Sequence, residues 1–435
     1  MKSFLLRIFL SAPFYLSCAV QATPEIHHWL TDNGARVYFV EAPEIPILDV
    51  RFVFDAGSSR DGTKPGLAQL VNSLLDEGAG GLDANAFNER VADTGALFST
   101  GARRDMAWIS LRTLVEEKYS TPALALMESV LSEPRFDADA IQRRKANTLI
   151  GIKREQQSPS AIASKTFYKA IYDTHPYGTS MLGTKESVKE FTHDDIKSFY
   201  KHYYVAKNAT IAIVGSVTLG RATDIASRLS KGINGGESAS PLPAVEMLPE
   251  ASIKYVEFPS IQSHIKFGQP GIKRGHPDYF PLLVGNHILG GGGLVSILFD
   301  EIREKRGLSY SVNSYFTPMM EIGPFIASLQ TDYSQVNEAI SVLREEINNF
   351  VADGPTSNAV RAAKKNLIGG FPLRIASNSK VLEYLSMIGF YRLPLDYLTT
   401  FPHRVAAVSV DDVRSAFQRH LNPEKMVLVV VGRVD

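Results

Sequence analysis

Asp194–Val217 reads DDIKSFYKHYYVAKNATIAIVGSV, and Asp411–Val434 reads DDVRSAFQRHLNPEKMVLVVVGRV, 217 positions later and without a gap. Asp-Asp, Ser, Gly and Val are identical, and the closing apolar runs correspond in kind. Each copy reads as a helix, a short polar loop and a buried strand that ends at Gly. A second echo, Thr148–Gly151 (TLIG) against Asn366–Gly369 (NLIG), falls at a spacing of 218. Two copies are too few for a solenoid, so the chain is a duplicated domain. The functional question is what each half kept and what it lost.

The rest of the chain supports two ordinary domains. Its 435 residues are 44% apolar and 21% charged, which is enough for a full core in each half. Lys+Arg and Asp+Glu balance at 46 each, so nothing recommends nucleic acid or an anionic surface as partner. Residues 231–250 (KGINGGESASPLPAVEMLPE) crowd Gly, Ser and Pro together and mark a linker. The expected division is residues 1–22 as export signal, 23–230 as N-terminal domain, and 251–435 as C-terminal domain.

The signal reading rests on Lys2 and Arg7 around an apolar stretch too short and broken to span a bilayer, followed by Val20-Gln21-Ala22. The single cysteine, Cys18, lies inside that stretch, in a weak lipoprotein-like context (Tyr15-Leu16-Ser17-Cys18). Cleavage after Ala22 leaves a mature chain without thiols and without a transmembrane span, placing it in the periplasm. Lipid anchoring through Cys18 is the alternative.

Periodicity predicts strands at Ala35–Val40, Leu48–Phe54 and Met106–Leu114, and helices over Pro65–Glu77, Ala84–Thr94, Leu124–Leu131 and Asp139–Lys153. In the second half, strands are expected at Ser252–Phe258, near Ser309–Tyr315 and at Phe325–Thr331. Helices are expected at Tyr279–Leu289 and Val295–Lys305. The mixture lacks strict alternation. The fold class is therefore α+β, with two homologous halves, each a mixed, mostly antiparallel sheet covered by helices mainly on one face.

Two stretches carry a family resemblance. Gly66-Leu67-Ala68-Gln69-Leu70-Val71-Asn72-Ser73-Leu74-Leu75-Asp76-Glu77-Gly78 looks like the zinc helix of the pitrilysin, insulinase and mitochondrial-processing-peptidase family. In that family an H-x-x-E-H motif supplies two zinc ligands and the base that activates water. Here the matching positions are Gln69, Asn72 and Ser73. The family's later Glu ligand falls by motif near Gly151, and no acidic residue lies between Asp139 and Glu155. Amides and a hydroxyl are poor zinc donors, and none is a general base at neutral pH.

The second stretch runs from Leu289 through Gly290, Gly291, Gly292 and Gly293 to Val312. It is similar to the family's second-half signature, in which an Arg and a Tyr seven residues apart face the zinc site. Arg303 and Tyr310 have that spacing. A helix ending at a left-handed Gly307, with Tyr310 opening the next strand, would aim both into one cleft. Arg offers a planar fork of donors to a peptide carbonyl, and Tyr a donor to an oxyanion. The plainer reading is a solvated helix-end charge and a strand aromatic. The Gly run lacks the Lys-Ser/Thr of a phosphate loop. It is either a flexible wall that admits extended peptide, as the resemblance implies, or a simple interhelical turn.

No two of the ten His lie one helical turn apart, and no G-x-S-x-G elbow is present, so no rival hydrolase site appears. His175, in Thr174-His175-Pro176-Tyr177-Gly178, is expected to be a structural hydrogen-bonder.

The resemblance implies a non-catalytic subunit. It would bind no metal itself and would lend Arg303, Tyr310 and Gly290–Gly293 to the peptide-cleaving site of an H-x-x-E-H-containing paralogue that carries the zinc, as a heterodimer acting on extended peptide. The alternative is a stand-alone peptide-binding or scaffold protein of the cell envelope.

Overall fold

The computed structural model describes residues 25–433. The expected cleavage site after Ala22 and Cys18 lie outside the described residues. Thirteen strands are present: β1 His27–Leu30, β2 Arg36–Glu41, β3 Ile47–Phe54, β4 Gly78–Ala79, β5 Leu82–Asp83, β6 Leu97–Ala102, β7 Ala107–Leu114, β8 Ala209–Gly215, β9 Ser252–Glu257, β10 Gln262–Ile272, β11 Val312–Phe316, β12 Gly323–Asp332 and β13 Val427–Gly432. β4 and β5 form a small hairpin. The others form two sheets, ordered β1-β2-β8-β3-β7-β6 and β11-β12-β10-β13-β9.

The duplication is visible in the topology. Reading inward from β6 or from β11, the two sheets have the same order, and β1 is an addition at the far edge of the first. In both, the closing strand pairs antiparallel on one side (Val50↔Ile213; Phe267↔Leu428) and parallel on the other (Val37↔Ile211; Ile253↔Leu428). The repeated helices, His193–Tyr203 and Val410–His420, are both 11 residues long. Each opens with a capping box, Thr192 with Asp195 and Ser409 with Asp412. The hydroxyl accepts the N3 amide and the carboxylate accepts the N-cap amide, so two otherwise orphaned donors are satisfied at each helix start. Short turns at Ala206–Asn208 and Pro423–Lys425 then lead into β8 and β13.

The sheets are not covered on one face only. Val37, Phe39, Ile211 and Ile213 pack into the N-terminal core. Tyr38, Val40, Ala212 and Val214, alternating with them, pack into the C-terminal cluster with Leu385 and Ile388 of the helix Asn378–Phe390. Reciprocally, Val427, Val429 and Val431 of β13 pack against Ala163, Phe167 and Ile171 of the helix Pro159–Tyr172. Each half lends a helix to the back of the other half's sheet. β8 and β13 are therefore buried on both faces, which is why they read as unbroken apolar runs. The approach is close: a Cβ on Gly389 would lie 2.4 Å from Thr210 Cγ2, and one on Gly268 would lie 3.1 Å from Phe167 Cζ.

The seam carries polar bonds as well. Asp105 is buried and accepts hydrogen bonds from Tyr177 Oη (2.5 Å), Tyr391 Oη (2.8 Å) and the Met320 amide (2.7 Å). Arg112 forks onto Asp49 (2.7 and 2.9 Å) and also donates to Ser379 Oγ (2.5 Å). Residues 232–251 have no regular structure but are held in place. Arg60 donates to the Ser240 carbonyl (2.6 Å), the Ala239 amide donates to Asn208 Oδ1 (3.1 Å), and Leu242 and Val245 are buried. His175 accepts from the Tyr177 amide through Nδ1 (3.1 Å) and donates through Nε2 to the Pro243 carbonyl (3.0 Å), a structural role.

Candidate functional site

The helix that carries the zinc-motif positions is Leu67–Ser73, shorter than the Pro65–Glu77 expected. Its continuation tightens into three-residue turns, with the Leu74, Leu75 and Glu77 amides donating to the Val71, Asn72 and Leu74 carbonyls. Leu67, Leu70, Val71, Leu74 and Leu75 are all buried, as the periodicity requires. The start of the helix is fixed by Gly66 at φ +95°, where a Cβ would lie 2.6 Å from the Leu182 carbonyl oxygen, and by Asp61. The Asp61 carboxylate accepts the Gly66 and Ala68 amides, each at 2.7 Å.

The side chains at the motif positions serve the fold. Asn72 is 1% exposed and donates through Nδ2 to the Trp108 carbonyl (3.1 Å) and Tyr204 Oη (3.2 Å). Ser73 Oγ donates back to the Leu70 carbonyl (2.8 Å), and Gln69 is half-buried. Gly151 sits inside the helix Ala138–Glu155, where a Cβ would touch Leu182 Cδ1 at 3.4 Å. Arg144 joins the two elements by pairing with Asp76 (2.7 Å) and Glu77 (2.6 Å), and Arg143 pairs with Glu77 (2.7 Å). Two amides, a hydroxyl engaged with its own helix and a glycine do not fit a zinc ion, and they offer no base to activate water.

One cluster of metal-competent side chains exists among the described residues: His276, Asp278 and His420. No His pair one turn apart announces it in the sequence, because the imidazoles come from distant segments. Its atoms are engaged with one another. His276 Nδ1 accepts the Asp278 amide (3.0 Å), His420 Nε2 meets Asp278 Oδ2 (2.8 Å), and Arg419 forks onto both carboxylate oxygens (3.0 and 2.8 Å). Hydrogen bonds from Arg419 hold the Asp278 carboxyl below the usual range.

In the second half, the segment before Arg303 is an α-turn, Ile297–Phe299, that widens over Asp300–Glu304, with the Lys305 amide reaching the Asp300 carbonyl (2.9 Å). Gly307 is left-handed at φ +64°, and the Gly307 and Leu308 amides close the end onto the Arg303 and Ile302 carbonyls (2.9 Å each). Tyr310 lies in the turn two residues before β11 rather than in the strand. The structure brings Arg303 and Tyr310 together: the guanidinium carbon is 4.5 Å from the Tyr310 ring centroid and 4.7 Å from that of Phe299. Lys305 and Arg306 are taken up by Glu301 (2.5 and 2.6 Å), whereas Arg303 has only a 3.7 Å contact with Glu304. Tyr310 is 76% exposed.

The Gly run sits beside β11, the strand that follows this pair. Gly290 packs so closely on β11 that a Cβ would lie 2.5 Å from Ser314 Oγ, and Gly291 and Gly292 are closed in by Asn286 and His287. Gly293 takes φ +62° with open space around it, and the tip residues Leu294 and Val295 are 73% and 77% exposed. A groove of about 480 Å³ runs between this turn, the helix Tyr279–Asn286 and Asn313–Phe316 of β11. β11 is an edge strand, paired only with β12. Arg303 and Tyr310 lie beyond the lining of the groove. No hydrogen bond, ion pair or ring contact among the described residues joins them to Gln69, Asn72, Ser73 or Gly151.

Comparison with known proteins agrees with this anatomy. Residues 36–185 match the family described as Insulinase (Peptidase family M16), and residues 190–367 match that described as Peptidase M16 inactive domain. A solved structure from Pseudomonas fluorescens, titled peptidase M16 inactive domain, is 39% identical. It covers 94% of this chain and 98% of its own, with a TM-score of 0.92. The chain belongs to the M16 peptidase family, as a non-catalytic member. A Helicobacter pylori protein named Non-peptidase homolog YmxG is 24% identical over 99% of both chains. The periplasmic protease PqqL from Escherichia coli shares the fold at a TM-score of 0.76 and 16% identity, over 100% of this chain and 49% of its own. Among the described residues, no helix is long and apolar enough to cross a membrane.

Proposed function

We propose that this chain is the substrate-binding, non-catalytic partner of a zinc-bearing paralogue, and that Arg303, Tyr310 and the Gly290–Gly293 turn complete the partner's peptide-cleaving site. The observation that carries the reading is the half-buried Arg303 packed over the exposed Tyr310 beside an unpaired strand edge, in a chain whose matching motif positions carry no zinc-ligand side chain. An extended peptide can add to the β11 edge through main-chain hydrogen bonds, with side chains entering the adjoining groove. Arg303, packed against the Phe299 and Tyr310 rings, presents its fork to a peptide carbonyl. Tyr310 donates a hydrogen bond from its phenol to the oxyanion that forms when water attacks. The water-activating step belongs to the other subunit. Zinc is accordingly expected in the partner and not in this chain.

Export to the periplasm is part of the same reading, supported by the N-terminal signal pattern and by the shared fold of a periplasmic protease. Intact-mass measurement of envelope-derived protein tests it. A chain beginning after Ala22 is expected, a lipid-modified Cys18 would indicate anchoring, and a chain starting at Met1 would refute export.

The functional test is kinetic. In the complex purified with its paralogue, Tyr310→Phe should lower turnover by about one to three powers of ten, the range for losing one oxyanion donor. Zinc content and assembly should be unchanged. Arg303→Ala should weaken substrate binding as well, because a guanidinium also holds the ground-state peptide. Wild-type rates in both variants would make the pair structural and favour the scaffold reading.

A further inference from the structure

We propose that the seam between the two halves contains a binding site for a small multivalent oxyanion, formed by Arg36, Arg274 and Arg392. The three come from distant places: the first residue of β2, the loop after β10, and the turn after the helix Asn378–Phe390. They meet at a cavity of about 320 Å³ whose wall includes Ser238–Leu242 of the connecting segment.

The other charges lining this cavity are neutralised locally. Arg60 forks onto Asp55 (2.6 and 2.5 Å), Lys207 pairs with Glu237 (2.8 Å), and Glu321 pairs with Lys273 (2.6 Å). None of Arg36, Arg274 and Arg392 has a carboxylate within ion-pair distance among the described residues. Arg36 spends one nitrogen on Thr210 Oγ1 (3.0 Å), and its Nε is buried without a partner. Arg274 Nε is likewise buried and unpartnered, with the guanidinium 5.4 Å from the Tyr391 ring centroid. Both Nε atoms are closed off by protein, so the guanidinium ends are what a ligand in the cavity could reach, and like charges gathered there repel one another. Burial, and then the charge of Arg392, push the pKa of Arg36 down, against the opposing pull of Tyr38 and of Asp55, whose carboxylate is engaged by Arg60.

Arg392 provides an independent sign. It is left-handed, at φ +53°, directly past a helix end where Gly or Asn is the unstrained choice. Strain at a charged residue that lines a cationic cavity is the pattern of a position kept for its side chain. Guanidinium groups present flat forks that match phosphate and carboxylate oxygens. The volume admits a phosphate, a pyrophosphate or a small polycarboxylate, not a folded segment. An anion there would cross-link β2 of one half to two segments of the other.

The test uses the mature chain, by calorimetric titration and thermal melting with pyrophosphate and with citrate, against sodium chloride at equal ionic strength. A saturable, one-per-chain signal with either anion, beyond the chloride control, is expected. The tighter of the two identifies the source as phosphate-type or polycarboxylate. Arg274→Gln should weaken binding by about tenfold or more, the scale of losing one charge-assisted contact. Arg392→Gly separates the site from general stability. It should raise the melting temperature of the ligand-free chain by about 1–2 °C through relief of strain, yet lose anion binding by about tenfold or more. No saturable effect beyond chloride overturns the proposal. So does wild-type anion affinity in both variants, which would place the binding elsewhere.

Discussion

Asp61 and Gly151 show, in opposite directions, how single residues set the stability of the N-terminal half. Asp61 is buried, and burial pushes its carboxyl up to about 7 although the Ala68 and Gly66 amides pull the other way. The folded value lies above the ordinary 3.8, so the folded chain keeps a proton that the unfolded chain releases. The stability this contributes is complete below about pH 4 and is lost as the pH rises through about 7. Asp61→Asn removes the titration and keeps one acceptor. The wild type should therefore exceed the variant in melting temperature most at acid pH, with the gap narrowing toward pH 8; a gap that does not change with pH would contradict this. At Gly151 the change runs the other way. A Cβ meets only Leu182 Cδ1, at ordinary contact distance, inside a regular helix. Gly151→Ala should stabilise the chain by about 0.5–1 kcal/mol in denaturant melts.

At the scale of the element, the side chains of the helix Leu67–Ser73 serve the fold, and installing the family's motif in it should expose that. Gln69→His, Asn72→Glu and Ser73→His together put a carboxylate where Asn72 now donates to the Trp108 carbonyl and to Tyr204 Oη. The carbonyl loses its donor and faces a buried charge, a loss of about 2–4 kcal/mol. Tight zinc should still be absent in a chelator competition, because Gly151 supplies no third ligand. One-to-one tight zinc in the triple variant would show that the helix is not committed to its structural role. The helix and its buried face were legible in the sequence, because amphipathic period is a local property. Its early end at Ser73 was not, since it depends on tightened turns within an apolar run that continues through Leu75. The Arg303 and Tyr310 spacing was legible too, whereas the packing of Arg303 over both Tyr310 and Phe299 required the wide turn at Asp300–Glu304, which leaves no mark in the residue pattern.

For the whole molecule, the repeat at Asp194–Val217 and Asp411–Val434 announced two halves, but not their exchange of helices. Nothing in Pro159–Tyr172 or Asn378–Phe390 says which sheet each will cover, because an apolar face is non-directional and the choice is made by the partner surface. The reciprocal packing makes the halves mutually dependent. Removing either helix would open one face of the other half's sheet to water. Calorimetry on the chain should accordingly show one cooperative transition and not two. Leu385→Ala, in a helix contributed by the C-terminal half, should lower that single transition by the about 2–5 kcal/mol of a core truncation, with the N-terminal sheet melting in step. Tyr391→Phe should cost less, about 0.5–1.5 kcal/mol, since Asp105 retains Tyr177 and the Met320 amide. If Leu385→Ala instead split the melt into an early C-terminal and an unshifted N-terminal step, the helix exchange would be a contact between two independent domains. The seam cavity would then lack the rigid frame that its three arginines require.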